Sequence, residues 1–189
     1  MKKIIAAMLS LIALAAHAER ADSLKQASVT AVKVDADTVT NNTIASGDVV
    51  ITRGTLLIKS DKAVVSQSPE GYMTVTLTSD PGKFATFRQK RDGGADLWVE
   101  GHAQRIEYDE RTEIVKLFNN AVVKQLENGR LTNEMNGEFI SYDNRKEVAA
   151  LRNDASGETK QGAGRTTVIF QPRRQPAAAP APAPAAGKQ

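Results

Sequence analysis

His102, Asp109 and Asp143 are the side chains whose types could do chemistry, the first as a general base and the aspartates as oxygen ligands. A histidine works as a general base when a nucleophile or orienting group stands within hydrogen-bond reach. His102 sits in VEGHAQ without a serine-centred motif, and the chain's other histidine, His17, falls in the apolar N-terminal run. There is no cysteine, which rules out thiolate metal sites and thiol nucleophiles, and the carboxylates are scattered at turns rather than at ligand spacing. Asp109 and Asp143 suggest a calcium ladder, but Arg111, Arg145 and Lys146 beside them supply opposing charge and favour a turn-forming role. Glycines mark turns and build no phosphate-cradling loop. No metal and no cofactor is expected, and the chain reads as a binding protein, not an enzyme. An enzyme centred on His102 and Asp109 is the rival this reading disfavours.

The elements around these residues read as strands. Apolar residues alternate with polar ones, as half-buried strands require. Val32, Val34 and Ala36 share one face, with Lys33 and Asp35 on the other. Val49 and Ile51 alternate with Val50 and Thr52, and Met73, Val75 and Leu77 alternate with three threonines in MTVTLT. Ile106 and Tyr108 alternate with Arg105, Glu107 and Asp109; Val115, Leu117, Asn119 and Ala121 continue the pattern. Between the runs lie Asn41-Asn42, Arg53-Gly54, Pro69-Glu70-Gly71, Asp80-Pro81-Gly82, Asp92-Gly93-Gly94, Asn128-Gly129 and Asp143-Asn144. Such pairs tolerate the positive φ of hairpin turns, so consecutive antiparallel neighbours are expected. The predicted fold class is all-β.

The strands also echo one another. AQRIEYDERTEIVKLFNNA (Ala103 to Ala121) and GEFISYDNRKEVAALRNDA (Gly137 to Ala155) align with Tyr108 over Tyr142 and Asp109 over Asp143, a spacing of 34 residues. LLIKSDKAVV (Leu56 to Val65) reads as a weaker copy with Asp61 in the aspartate position. Each copy is expected to be strand, Asp-centred turn, strand. A unit of two strands cannot bury its own apolar face, so several must stack or fold over each other. Chance similarity among short β units is the competing explanation.

The two ends read differently. Lys2 and Lys3 precede an apolar run from Ile4 to Ala16, followed by Ala16-His17-Ala18, the pattern of a cleaved signal peptide. The run is shorter than the roughly 20 residues a spanning helix needs, which argues against a retained anchor. No cysteine follows it to carry a lipid, and the mature chain is expected to begin at Glu19. At the other end, QPRRQPAAAPAPAPAAGKQ is Pro/Ala-rich and is expected to be a disordered tail. The expected organisation is residues 1–18 signal peptide, 19–28 lead-in, 29–171 a single β-domain and 172–189 tail. Without Lys2 and Lys3, the 25 basic and 22 acidic residues come close to balance, and they are interspersed, so the basic pI is no sign of nucleic acid.

Composition narrows the kind of core. Aromatics make up 5% of the chain, and the strand positions are mostly Val, Ile, Leu and Ala. Sheets with such faces either meet in a dry core or splay into a slot suited to acyl chains. Composition alone does not separate the two.

Several segments carry a family resemblance. SGDVVITRGTLLIKSDKAVV (Ser46 to Val65), GKFATFRQKRDG (Gly82 to Gly93), VEGHAQRIEYD (Val99 to Asp109) and LFNNAVVKQ (Leu117 to Gln125) occur in this order. From about Val32 to Phe170 the chain resembles the OstA-like family of periplasmic lipopolysaccharide transport proteins. That resemblance implies a β-jellyroll of antiparallel strands forming a V-shaped open sandwich whose trough holds the acyl chains of lipid A. It further implies end-to-end stacking of copies between an inner-membrane transporter and an outer-membrane translocon. Val32 and Val34 match the family's first trough-facing strand, and Phe87 matches an inward phenylalanine. Alternation adds Val49, Ile51 and Ile106 as wall candidates, with Tyr108 beside them. The strands around Val29 to Val34 and Arg165 to Phe170 are the expected stacking edges. The Pro/Ala tail departs from the family pattern. The alternative is a structural β-module that joins envelope proteins without a lipid ligand.

Overall fold

The computed structural model describes Asp22, residues 25–94, 96–146 and 148–172. The expected signal peptide, its cleavage point and nearly all of the Pro/Ala tail lie outside the described residues. Among the described residues twelve strands follow one another: β1 (Ala27–Thr30), β2 (Lys33–Asp37), β3 (Asn42–Arg53), β4 (Leu56–Gln67), β5 (Met73–Thr78) and β6 (Ala85–Lys90). Then come β7 (Leu97–Ala103), β8 (Arg105–Asp109), β9 (Ile114–Glu127), β10 (Arg130–Asp143), β11 (Val148–Arg152) and β12 (Thr167–Phe170). Every pairing is antiparallel. The all-β reading holds, and the architecture is an open, β-jellyroll-like sandwich.

Four long strands, β3, β4, β9 and β10, each serve two ladders. Ladder A runs through β2, the first half of β3, the second half of β4, β5, β8, the first half of β9, the second half of β10, and β11. Ladder B runs through β1, the second half of β3, the first half of β4, β6, β7, the second half of β9, the first half of β10, and β12. The pairings β1–β3, β4–β6, β5–β8, β7–β9 and β10–β12 skip strands, so neighbours in space are not always the consecutive strands that the turn pattern had led us to expect.

The long strands change ladder at bulges. In β3, Gly47 and Asp48 face a gap opposite Asp61, with φ of 78° and 46°. In β9, Asn119 and Asn120 do the same opposite Glu138, with φ of 62° and 53°. Asn, Asp and Gly are the residues that enter the left-handed region at least cost, and two residues opposite one bend a strand. The regular alternation expected through Asn119 therefore breaks there; just before it Leu117 is buried in the core, while Phe118 on the other face is covered by the Phe139 ring and the Arg105 guanidinium. Together these bulges form the crease from which the two ladders face each other.

The internal repeat is real but differently placed. Ala103 to Ala121 folds as the β8–β9 hairpin and Gly137 to Ala155 as the β10–β11 hairpin. Asp109 accepts a hydrogen bond from the Thr112 amide (3.1 Å), and Asp143 accepts from the Arg145 and Lys146 amides (3.0 Å each). Leu56 to Val65 is no copy: it lies within the single strand β4, and Asp61 instead accepts from the Asp80 amide and Lys83. The further copy is the β2–β3 hairpin, where Asp37 accepts from the amides of Val39 (2.8 Å) and Thr40 (3.2 Å). Asn41 and Glu113 close the matching turns with φ of 53° and 55°. Longer still, β1–β6 and β7–β12 repeat one order: two short strands, two long strands of which the first is bulged at the change of ladder, two short strands.

One aliphatic core joins both ladders. Ala45, Ala63, Leu77, Ile106, Leu117 and Ile140 come from ladder A; Val49, Ile51, Ile58, Val99 and Val123 come from ladder B. Leu77, Ile106 and Leu117 are direct cross-strand partners along β5, β8 and β9, and burying each contributes roughly 1.5–3 kcal/mol.

Candidate functional site: a slot between the two ladders

A cavity of about 170 Å³ lies between the inner faces. Leu56, Ile58, Phe87 and Val99 line it from ladder B, and Leu77, Ile106, Tyr108, Val115 and Tyr142 from ladder A. Its mouth lies at the strand tips, where Arg53, Asp92, Glu110, Glu113 and Arg145 gather. Alternation explains the division: each lining residue shares parity with a buried neighbour on its own strand, as Phe87 does with Ala85 and Val99 with Ala103.

Phe87 owes its position to a glycine. It stands opposite Gly101 across β6 and β7, and a Cβ at Gly101 would meet the Phe87 ring at 2.6 Å and the Val122 carbonyl at 2.7 Å. The ring thus covers the glycine on the inner face, a sheet site where a side chain is excluded so that a neighbour can lie across it.

The expected wall residues divide into three groups. Phe87 and Ile106 line the cavity, and Ile106 is 2% exposed. Val49 and Ile51 are buried on the inner face in the same core but do not line the cavity. Val34 pairs with Ala45, an inward residue, so it shares the inner face, yet it is 46% exposed because β2 lies at the edge of its ladder. Val32 precedes β2, donates its amide to the Gly47 carbonyl (2.8 Å) and covers the β3 bulge, with its side chain 80% exposed. Leu56, Ile58, Leu77, Val99, Val115 and Tyr142 also line the cavity and were not among the expected wall residues. For Tyr142 the signal was present, since the 34-residue echo places it over Tyr108 and both line the cavity.

At both ends the inner wall runs out into solvent. At the N-terminal edge Val34 is exposed and Val29 is half-buried. At the C-terminal edge Val168 pairs with the inward Met135 and is 43% exposed, and Phe170 is 76% exposed.

His102 and Asp109 do not meet. His102 belongs to ladder B, alternates with the buried Val99 and Ala103 phase, and stacks on Phe84 at 4.9 Å between ring centroids. Burial, and then the Lys124 charge, hold its imidazole below the ordinary value. Asp109 caps a turn at the tip of ladder A. Among the described residues, no three His, Cys, Asp or Glu side chains gather where a metal could be held.

The chain matches the family described as LptA/(LptD N-terminal domain) LPS transport protein over residues 28–148. It is 32% identical over 130 residues to the lipopolysaccharide export system protein LptA of Haemophilus influenzae, covering 69% of this chain and 68% of that one. With the LptA of Escherichia coli K12 it shares 35% identity over 97 residues, 51% of this chain and 48% of that protein. The fold superposes on the crystal structure of LptH, the LptA homologous periplasmic component of the conserved lipopolysaccharide transport device of Pseudomonas aeruginosa. The TM-score is 0.68 at 23% identity, covering 80% of this chain and 99% of that chain. Matched over most of its β-domain, the chain belongs to the LptA/(LptD N-terminal domain) family of lipopolysaccharide transport proteins.

Proposed function

We propose that this chain binds lipopolysaccharide in the periplasm by its lipid A acyl chains and passes it from an inner-membrane transporter toward an outer-membrane translocon. The carrying observation is the aliphatic slot between the ladders, walled by Phe87, Ile106, Leu77 and Val99 and continued by Val34 and Phe170 into solvent at its ends. Its chemistry fits acyl chains, which gain by leaving water and ask for no polar partner. Val32, Val49 and Ile51 are proposed to extend the wall as it opens. Export by a signal peptide cleaved before Glu19 and a solvated tail from residue 172 complete the reading.

The repeat supports end-to-end self-association. Inside the chain the first half joins the second through β5–β8 and β6–β7. By the repeat, β11 and β12 stand where β5 and β6 do, and β1 and β2 where β7 and β8 do. A second copy adding β2 to β11 and β1 to β12 would repeat the internal seam and continue the slot, with β-strand addition supplying the hydrogen bonds.

The closed-module alternative has one observation in its favour. The cavity of about 170 Å³ is smaller than the roughly 300–1,000 Å³ of pockets that enclose small ligands. Lipopolysaccharide binding by the purified chain separates the two, run beside Phe87→Glu with the fold checked by circular dichroism. Saturable binding that the variant loses is expected, because a charge set against acyl chains carries a large desolvation cost. An intact wild-type fold without binding would leave the protein-joining module as the account.

A further inference from the structure

We propose that Arg53 and Glu110 form a latch that holds the two ladders together at the mouth of the slot and must part for acyl chains to enter. This rests on the slot reading above.

Arg53 ends β3 at a tip of ladder B, and Glu110 follows β8 at a tip of ladder A. Their side chains form an ion pair across the mouth and both line the cavity. Each partner is tied to its own ladder. Arg53 pairs with Ala27 of β1 and donates through Nε to the Lys25 carbonyl (3.2 Å). Glu110 accepts from the Met73 amide at the start of β5 (2.8 Å), and its own amide donates to the Met73 carbonyl (2.9 Å). The contact therefore couples two rigid rims, not two loose side chains.

Its surroundings set it apart from the other ion pairs of the rims. Arg111–Glu70 and Arg145–Glu113 lie within ladder A and are well exposed, at 58% and 59% for the first pair. Arg88–Glu100 and Lys124–Glu134 lie within ladder B. Arg53 and Glu110 are 15% and 14% exposed, so water and salt screen their attraction far less. A guanidinium held by a carboxylate and a backbone carbonyl has its donors well placed, which is the geometry in which such a pair holds firmly. With the pair formed, the space behind it is about 170 Å³, below the roughly 300–1,000 Å³ of pockets that enclose small ligands, and widening the mouth requires the rims to separate at this point.

Glu110→Gln removes the charge and keeps an oxygen for the Met73 amide, while Arg53→Met keeps the aliphatic stem. The chain has no native cysteine, so Thr52→Cys and Thr112→Cys, on exposed positions of the two rims, take spin labels at defined sites. In the full-length chain without ligand, either latch variant is expected to lengthen and broaden the label-to-label distance distribution. A dansyl-labelled fatty acid is expected to load roughly tenfold faster, about 1.4 kcal/mol of barrier. Distances and loading rates that match the unaltered chain in both variants would overturn the latch. A protein that takes up no fatty acid in any form would count against the slot reading, and the label distances would still decide whether the rims are held by this pair.

Discussion

The seam in the middle of the chain and its two ends are built from equivalent strands, yet they differ in what covers them. At the seam β5 meets β8 and β6 meets β7, every edge is paired, and Leu77 and Ile106 are 1% and 2% exposed. At the ends β1, β2, β11 and β12 have a partner on one side only among the described residues, and Val34, Val168 and Phe170 are exposed. Exposed apolar edges are usually blunted by charge or proline. Here β12 keeps the sequence TVIF, with all four residues exposed. The contrast teaches that the same inner wall is buried as core where a neighbouring strand pair is present and left exposed where it is not.

Substitutions can test that contrast, beginning with the largest effect. Ile106→Ala and Leu77→Ala at the seam are each expected to cost about 2–5 kcal/mol of stability in urea unfolding, through lost burial and the hole left behind. Phe170→Asp at the end is expected to stay within about 0.5 kcal/mol, since it alters an exposed residue. Its effect should appear instead as loss of concentration-dependent self-association in light scattering. Equal stability losses at the two places would erase the distinction between seam and end.

Gly101→Ala probes the wall itself. The new Cβ would press on the Phe87 ring and on the Val122 carbonyl, and the backbone contact cannot yield cheaply. A loss of about 1–3 kcal/mol is expected, with lipopolysaccharide binding weakened because Phe87 must move. Unfolding and binding titrations of the same preparation check both.

The smallest effect concerns the hairpin tips. The Thr40 hydroxyl, then the Val39 and Thr40 amides, hold Asp37 below the ordinary carboxylate value of 3.8, and Lys146 and its amide do the same for Asp143. A carboxylate with a lowered folded value adds stability above its unfolded value and loses it as pH falls through the folded one. Acidifying from about pH 5 to about pH 3 should therefore lower the wild-type urea midpoint more than that of an Asp37→Asn, Asp143→Asn double variant. Parallel midpoints would mean that these charges do not support the turns.

Much of this was legible in the sequence because strands advertise their faces. MTVTLT delivered Val75 and Leu77 inward, and Val49 and Ile51 pointed the same way. The turns fell where Gly, Asn and Asp marked them. The bulges were harder: Asn119-Asn120 looks like two more alternating residues, and only a partner strand with one residue fewer reveals the bend. For the same reason the Asp37 copy of the hairpin was passed over for Asp61, whose neighbours resemble the motif more than its backbone does. Val34 lay on the expected face but at a ladder edge, and edge position depends on pairing between distant strands, which local pattern does not encode. Gly101 lay unremarked inside a family segment, since glycines read as turn markers; its reason, the ring of Phe87 opposite, is a cross-strand register that alternation leaves open.

The most direct test sets two adjacent residues of β6 against each other. Phe87 faces the slot and Thr86 faces outward, so a photoreactive benzoyl-phenylalanine at each position samples opposite faces of one strand. In cells exporting lipopolysaccharide, the account expects an ultraviolet-dependent lipopolysaccharide adduct from position 87 and none from position 86. Adducts of equal yield from both positions, or from position 86 alone, would contradict a lipid path between the ladders.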